Sequence, residues 1–414
     1  MRVVVLGGGV VGVSTAYQLQ KDGHEVVVIE REESLAAETS WGNAGMIAPG
    51  HSFVWSSPAA PKTLLKSLFL KDQALRFRFS ADPYLYKWSL EFLAQCTHER
   101  ARRNTLLKHR LATYSQKILG EVVAEEDLRY DRNTRGILYA YRSDAAMEAG
   151  AQHMKLLESD GQVVQMLDRA GVAKVDPVLG AAPGITGAIY CPTDETGDCA
   201  KFTRGLGALV AARGGEIMTG VVIRDLQTDG GTVNGVLTNQ GIVRGDAYVL
   251  AMGSFSPLLG RRVGISLPIY PVKGYALTVP IGQHKAPPTV GMVDEHNLVA
   301  ITRFDDRLRI TATAQFSGYD NSNKASDFTF MRSVTQALFP DGGDYEHANE
   351  WSGLRPMTPT NLPILGRARF ANLFCNTGHG HIGWTMSHGS ARIVADLIAG
   401  RAPAIPMQGL GYRA

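Results

Sequence analysis

The chain has 414 residues, 44% of them hydrophobic, which is long for one simple core and sufficient for two joined ones. Its 42 basic and 39 acidic residues leave a net charge of +3, which argues against a nucleic-acid-binding protein with its marked basic excess. Cys96, Cys191, Cys199 and Cys375 lack CxxC spacing, so neither a disulfide framework nor a metal site is expected, and no apolar run approaches a membrane span.

Val3 to Leu6 reads as a buried strand running into Gly7-Gly8-Gly9-Val10-Val11-Gly12; a helix follows, and a second apolar run, Val26 to Ile29, ends on Glu30. In this GxGxxG order, Gly7 and Gly9 allow a tight turn and bring backbone N–H groups close to a pyrophosphate, while Gly12 lets the helix pack on its strand. Val10 and Val11 open that helix, whose positive dipole end faces the phosphates. Glu30 is placed to accept hydrogen bonds from both ribose hydroxyls and to repel a 2′-phosphate, so an unphosphorylated adenine dinucleotide is implied. The strand begins at Arg2, so no signal peptide is expected ahead of it, and the expected location is the cytoplasm.

Beyond Glu30 lies a small-residue stretch, Thr39 to Met46, with backbone against which a flat ligand can lie; Ser40, Asn43, Ala44, Gly45 and Met46 join the expected cofactor set. Residues 62–110 mix aromatic groups (Phe69, Phe77, Phe79, Tyr84, Tyr86, Trp88, Phe92) with a basic run at Arg100, Arg102, Arg103, Lys108 and Arg110. Their spacing predicts helices with a solvated charged face, with attachment to a membrane surface as the alternative. A strand is expected over Gly136 to Arg142, a helix over Asp144 to Glu158, a loop at Asp194 to Cys199 and a helix from Lys201 to Arg213. Short strands follow at Glu216 to Thr219, Val221 to Leu226 and Thr232 to Asn239, then a buried strand from Ala247 that ends on small residues. The expected cofactor set also takes in Arg31, Val222, Ala251, Gly253 and Gly353.

Strand patterns at Ile269 to Val279, Leu298 to Thr302 and Leu308 to Thr313 suggest a mainly antiparallel sheet, with a helix over Ser326 to Phe339 beyond them. Gly378-His379-Gly380-His381-Ile382-Gly383-Trp384-Thr385 precedes an amphipathic helix that Gly400 and Pro403 end. A glycine-rich helix N-terminus suits a group that becomes negative during turnover, as the N1/C2=O edge of a reduced flavin does. Nicotinamide becomes neutral on reduction, so FAD is preferred. Arg355, hemmed by Gly353 and Pro356 among apolar residues, calls for an anionic partner, either a substrate carboxylate held in fork geometry or an internal carboxylate.

With these residues in view, the chain resembles the FAD-dependent amine oxidoreductases of the D-amino acid oxidase superfamily, and within it the bacterial D-amino acid dehydrogenase small-subunit and D-hydroxyproline dehydrogenase branch. The resemblance runs the full length and rests on the fingerprint with Glu30, Ser40 to Met46, Asp194 to Cys199, Pro271 to Tyr275, Gly353 to Pro356 and Gly378 to Gly389. It implies an α/β fold: a Rossmann-like FAD-binding domain (1–55, 190–260, 345–414) carrying an inserted, mainly antiparallel substrate-binding domain (56–189, 261–344). It also implies oxidation of D-amino acids, D-proline or D-hydroxyproline among them, to imino and 2-oxo acids by hydride transfer to flavin N5, with electrons passing to a quinone or other acceptor. Arg355 would bind the carboxylate. By position, Tyr275 is a candidate to close the pocket or hydrogen-bond the carboxylate, with plain sheet packing as the alternative, and His381 is the third candidate catalytic residue, although the family often carries another residue type there. An oxygen-using glycine or sarcosine oxidase is the nearest alternative, and a non-catalytic dinucleotide sensor the more distant one.

Overall fold

The computed structural model describes residues 1–62, 75–77 and 81–412. Phe69, Phe79 and the side chain of Phe77 lie outside this part. Two sheets dominate it. The first has six strands in the order Ile364–Arg367, Leu373–Thr377, Ala247–Leu250, Arg2–Leu6, Glu25–Ile29 and Glu216–Met218. All neighbours are parallel except the first pair.

The unbroken apolar runs of its central strands follow from burial on both faces. Side chains alternate across the sheet: Val3 and Val5 pack with Phe202, Trp384 and Ile393 from helices Cys199–Ala212 and Gly383–Ile398, and Val4 and Leu6 face Val233, Val236 and Leu259. The second face is covered by the three-stranded sheet Ile223–Asp229, Thr232–Thr238 and Gly241–Val243 and by helix Ser256–Arg262.

The larger sheet runs Asn349–Met357, Tyr270–Pro280, Arg307–Phe316, Val299–Phe304, Gly291–Asp294, Ile137–Tyr141, Gly187–Cys191 and Gln165–Asp168, with Leu75–Phe77 paired to the end of Arg307–Phe316. It is antiparallel at every pairing but two. Arg355 enters this sheet on Asn349–Met357, which pairs with Tyr270–Pro280 from Tyr270↔Met357 to Thr278↔Asn349.

Two sequence expectations need correction. The helix near Ser326 starts at Thr329, after a 3-10 turn over Ala325–Asp327. Lys108, expected on a solvated basic face, is fully buried on helix His98–Glu125, whereas Arg100, Arg102, Arg103 and Arg110 are exposed. The reason is helical period: Asn104, Lys108, Leu111, Ser115, Ile118 and Val122 form one buried stripe.

Candidate active site

Both sheets wall one cavity of about 1080 Å³. At one end, Gly7 adopts φ +114, and a Cβ there would lie 2.5 Å from the Ala251 carbonyl oxygen. Gly12 stands behind the turn, where a Cβ would meet the Gly7 oxygen at 1.9 Å, so only glycine lets the helix Val10–Lys21 come this close. Gly9, Val10 and Val11 border the cavity beside Gly7. The Glu30 carboxylate accepts from the Gly8 N–H at 2.7 Å and from the Glu32 N–H at 3.0 Å, and the Ser40 hydroxyl accepts from the Val10 N–H at 3.0 Å. Arg31, which pairs with Glu38 and lies over the Phe255 ring, Val222, Ala251 and Gly253 complete this end.

The middle of the cavity is walled by Asn43, Ala44 and Met46 and, from the far end of the chain, by His379, Gly380, Ile382, Gly383, Trp384 and Thr385. The helix begins at Gly383, after a 3-10 turn over Gly380–Ile382, so Trp384 and Thr385 belong to its first turn and do not precede it. Thr385 ties the two segments together, accepting from the Ala48 N–H at 3.1 Å and donating to the Met46 carbonyl at 3.3 Å. Gly45 (φ +74) and Gly378 (φ +78) lie off the cavity wall; a Cβ at Gly45 would strike Phe304 at 2.5 Å, and one at Gly378 would strike Thr358 at 2.8 Å. His379 bonds Ser390 at 2.9 Å and His388 bonds Ser14 at 3.3 Å, and burial pushes both imidazoles down to about 3, which keeps both neutral.

Arg355 closes the other end. Its Nη1 donates to the Thr313 carbonyl at 2.8 Å, burial pushes its pKa down to about 10, and among the described residues no carboxylate pairs with it. Two backbone features make room for it. A bulge interrupts the pairing of Tyr270–Pro280 with Arg307–Phe316 between Lys273 and Tyr275, and within it Thr313 adopts φ +61, rare for a β-branched residue. Opposite, a Cβ on Gly274 would lie 2.4 Å from the Arg355 Cζ. The Trp351 indole is pressed between Gly42 and Gly353, at each of which a Cβ would fall 1.9 Å from the ring.

Tyr275 borders the same end, but its side chain leaves the strand on the face opposite Arg355 and packs edge-on against Phe328 at 5.4 Å, so it is a sheet-packing residue and does not close the pocket; its hydroxyl donates to the Gln315 side chain at 2.7 Å, and burial raises its pKa to about 12. His381 also borders it, stacked on Trp55 at 4.8 Å between ring centroids. Trp88 and Trp351 also line the cavity, whereas Tyr86 is exposed and Tyr319 donates its hydroxyl to the Ser254 carbonyl. Lys273 is buried and donates to the Ser322 carbonyl at 2.8 Å. Sequence reasoning missed Trp55 on the wall and Lys108 behind it; for Lys108 the signal was its position three residues before Leu111 on the apolar stripe.

A glycine turn that a Cβ would fill, a helix N-terminus and a carboxylate beside it, all opening on one elongated cavity, fit a dinucleotide cofactor. The family model described as FAD dependent oxidoreductase matches residues 2–397. The chain belongs to this family. Among the family's members, a protein of Mesorhizobium japonicum named D-amino acid dehydrogenase 2 is 44% identical over 414 residues, covering 100% of both chains. A D-amino acid dehydrogenase of Paramagnetospirillum magneticum is 45% identical over 415 residues, 99% of this chain and 98% of that one. The fold is shared with glycine oxidase from Geobacillus kaustophilus, with a TM-score of 0.77, 23% identity and coverage of 100% and 98%. The α/β architecture expected from the sequence is thus the one this FAD-dependent family uses.

Proposed function

We propose that this FAD-dependent oxidoreductase is a D-amino acid dehydrogenase, converting a D-amino acid to an imino acid that water hydrolyses to a 2-oxo acid and ammonium. The observation that carries the reading is Arg355: a half-buried guanidinium without a carboxylate partner among the described residues, facing the same cavity as the glycine turn and Glu30. Both named dehydrogenase relatives, aligned over nearly their whole lengths, support it.

Residues of the first sheet and of Ser40 to Met46 would hold the cofactor, with Glu30 on the adenosine ribose and the N–H groups near Val10 on the pyrophosphate. Bound FAD supplies a two-electron acceptor for the hydride of the substrate Cα. Arg355 forks the substrate carboxylate and so fixes which Cα substituent faces the cofactor, while His381 closes the space around it. Trp55, Trp88 and Trp351 keep water from the reacting end. Segments 1–55, 190–260 and most of 345–414 form the cofactor-holding unit in this reading, and the larger sheet presents the substrate.

The electrons pass to a quinone or another carrier in preference to oxygen, as the dehydrogenase relatives suggest. Helix Pro83–Gln95, with Tyr84, Tyr86 and Leu90 exposed, offers a peripheral membrane contact for that exchange; among the described residues no helix is long and apolar enough to cross a membrane.

Anaerobic titration of the holoenzyme with D-amino acids, their L-enantiomers, glycine, sarcosine and D-hydroxyproline tests the reading. Bleaching by D-enantiomers alone is expected. Bleaching by glycine or sarcosine, with peroxide formed in air, would support the oxidase alternative.

A further inference from the structure

The oxidation described above leaves the buried Lys108 without a role. Lys108 has no exposed surface; its Nζ lies 3.3 Å from the Phe53 carbonyl oxygen and 3.3 Å from His381 Nε2. Among the described residues, no carboxylate forms an ion pair with it. Its neighbour His109 is engaged elsewhere, with Asp160 at 2.9 Å and Gln162 at 3.2 Å.

The groups around Lys108 are basic or aromatic. His381 meets His51 edge to face at 5.8 Å, and His51 stacks on Tyr139, whose hydroxyl donates to the buried Asp194 at 3.1 Å. His51, His381 and Arg355 all border the cavity, so Lys108 stands one side chain behind its wall. An unpaired buried charge destabilises a fold, and when such a group sits against a reaction cavity it is a candidate functional group.

We propose that Lys108 is a positioning residue for the amine oxidation, acting through His381 to favour the uncharged amine of the bound substrate over its ammonium form. The inference rests on the D-amino acid reading above. Once the substrate carboxylate offsets Arg355, the field of Lys108 remains uncompensated. A substrate ammonium is then disfavoured. One of its N–H bonds breaks, the proton goes to water, and the freed electron pair forms the C=N bond as the hydride leaves Cα. His381 adds no charge of its own: burial, with Lys108, His51 and Arg355 nearby, holds it well below its ordinary value. A Lys108 ammonium donating to Nε2 leaves the proton of the neutral ring on Nδ1, which has no partner among the described residues. Burial pushes the Lys108 amine down to about 7, so its effect is present below that pH and fades above it.

The test follows anaerobic flavin bleaching by the active D-amino acid from pH 5 to 10 in the wild-type, Lys108→Met and Lys108→Arg holoenzymes. In Lys108→Met the rising limb should move up by about one pH unit. That variant should be roughly tenfold slower than wild type below pH 7 and converge with it near pH 9. Lys108→Arg, with a permanent cation, should keep the low limb.

A second readout is lysine labelled with 13C at Cε: one signal, absent from both variants, should titrate near pH 7. Lys108→Met, which only removes a buried charge, should melt no lower than wild type. If it does not fold, Lys108→Arg and the lysine titration decide. Superimposable pH profiles, or a Lys108 signal titrating near pH 10, would overturn the inference. A wild type that no amino acid bleaches defeats the functional reading and this inference together, whereas a bleaching wild type whose profile ignores residue 108 defeats the inference alone.

Discussion

Arg355 holds its half-buried guanidinium on the cavity wall with a backbone carbonyl as its hydrogen-bond partner, an arrangement that a substrate carboxylate would complete. Arg355→Ala is expected to lose about 2–4 kcal/mol of transition-state binding on carboxylate substrates while retaining FAD. Steady-state kinetics and the flavin spectrum check both halves of that statement, and unchanged kcat/KM would remove Arg355 from the pocket. Glu30 gathers two backbone N–H groups at the mouth of the glycine turn, so Glu30→Ala should both loosen that turn and remove the proposed ribose acceptor. FAD should then be lost on extensive dialysis; full occupancy afterwards would refute the assignment. Both residues were legible in the sequence because each stands inside a short pattern with a physical reason. Lys108 and Trp55 were not, because nothing local to either residue says which other segment it packs against.

At the scale of elements, the substrate end depends on a defect in a sheet. The bulge at Thr313 turns a carbonyl toward Arg355, and Gly274 leaves the strand face bare where the guanidinium lies. Gly274→Ala should therefore raise KM for the amino acid at least tenfold with FAD content and melting temperature little changed, since the methyl group displaces one side chain and leaves the sheet pairing alone. An unaltered KM would mean that Arg355 has room to shift. The strands themselves were readable from period-two and continuous apolar patterns, and the helix Asp144–Glu158 from its amphipathic spacing. The bulge was not readable, because an extra residue in one strand is visible only against its partner. The start of helix Gly383–Ile398 was read late because four glycines in Gly378 to Gly389 hide the transition from turn to helix.

For the whole molecule, the buried imidazoles and carboxylates set the response to acid. His51 is held at about 4, His379 and His388 at about 3, and His381 well below its ordinary value, all chiefly by burial. In the unfolded chain each takes up a proton near pH 6.5, so their contribution to stability is lost as pH falls below that value. Asp194 and Glu295 act in the opposite sense: burial raises both to about 7, so between about 7 and 4 the folded chain binds their protons and the unfolded chain does not. Four imidazoles outweigh two carboxylates, and the melting temperature should fall between pH 6.5 and 4.5; a rise over that range would reverse the balance. The two-sheet plan was legible from apolar runs and turns, but the convergence of Gly7, Thr313 and His381 on one cavity was not, because it depends on strand order. That order also governs how the chain must fold. Arg2–Leu6 is flanked on one side by Ala247–Leu250, which in turn waits for Leu373–Thr377, so the central sheet closes only when almost the whole chain is available. During synthesis the first glycine turn therefore spends most of its time without a completed sheet behind it. FAD should speed refolding only in its last phase, and truncation before Leu373 should yield a chain that cofactor cannot rescue.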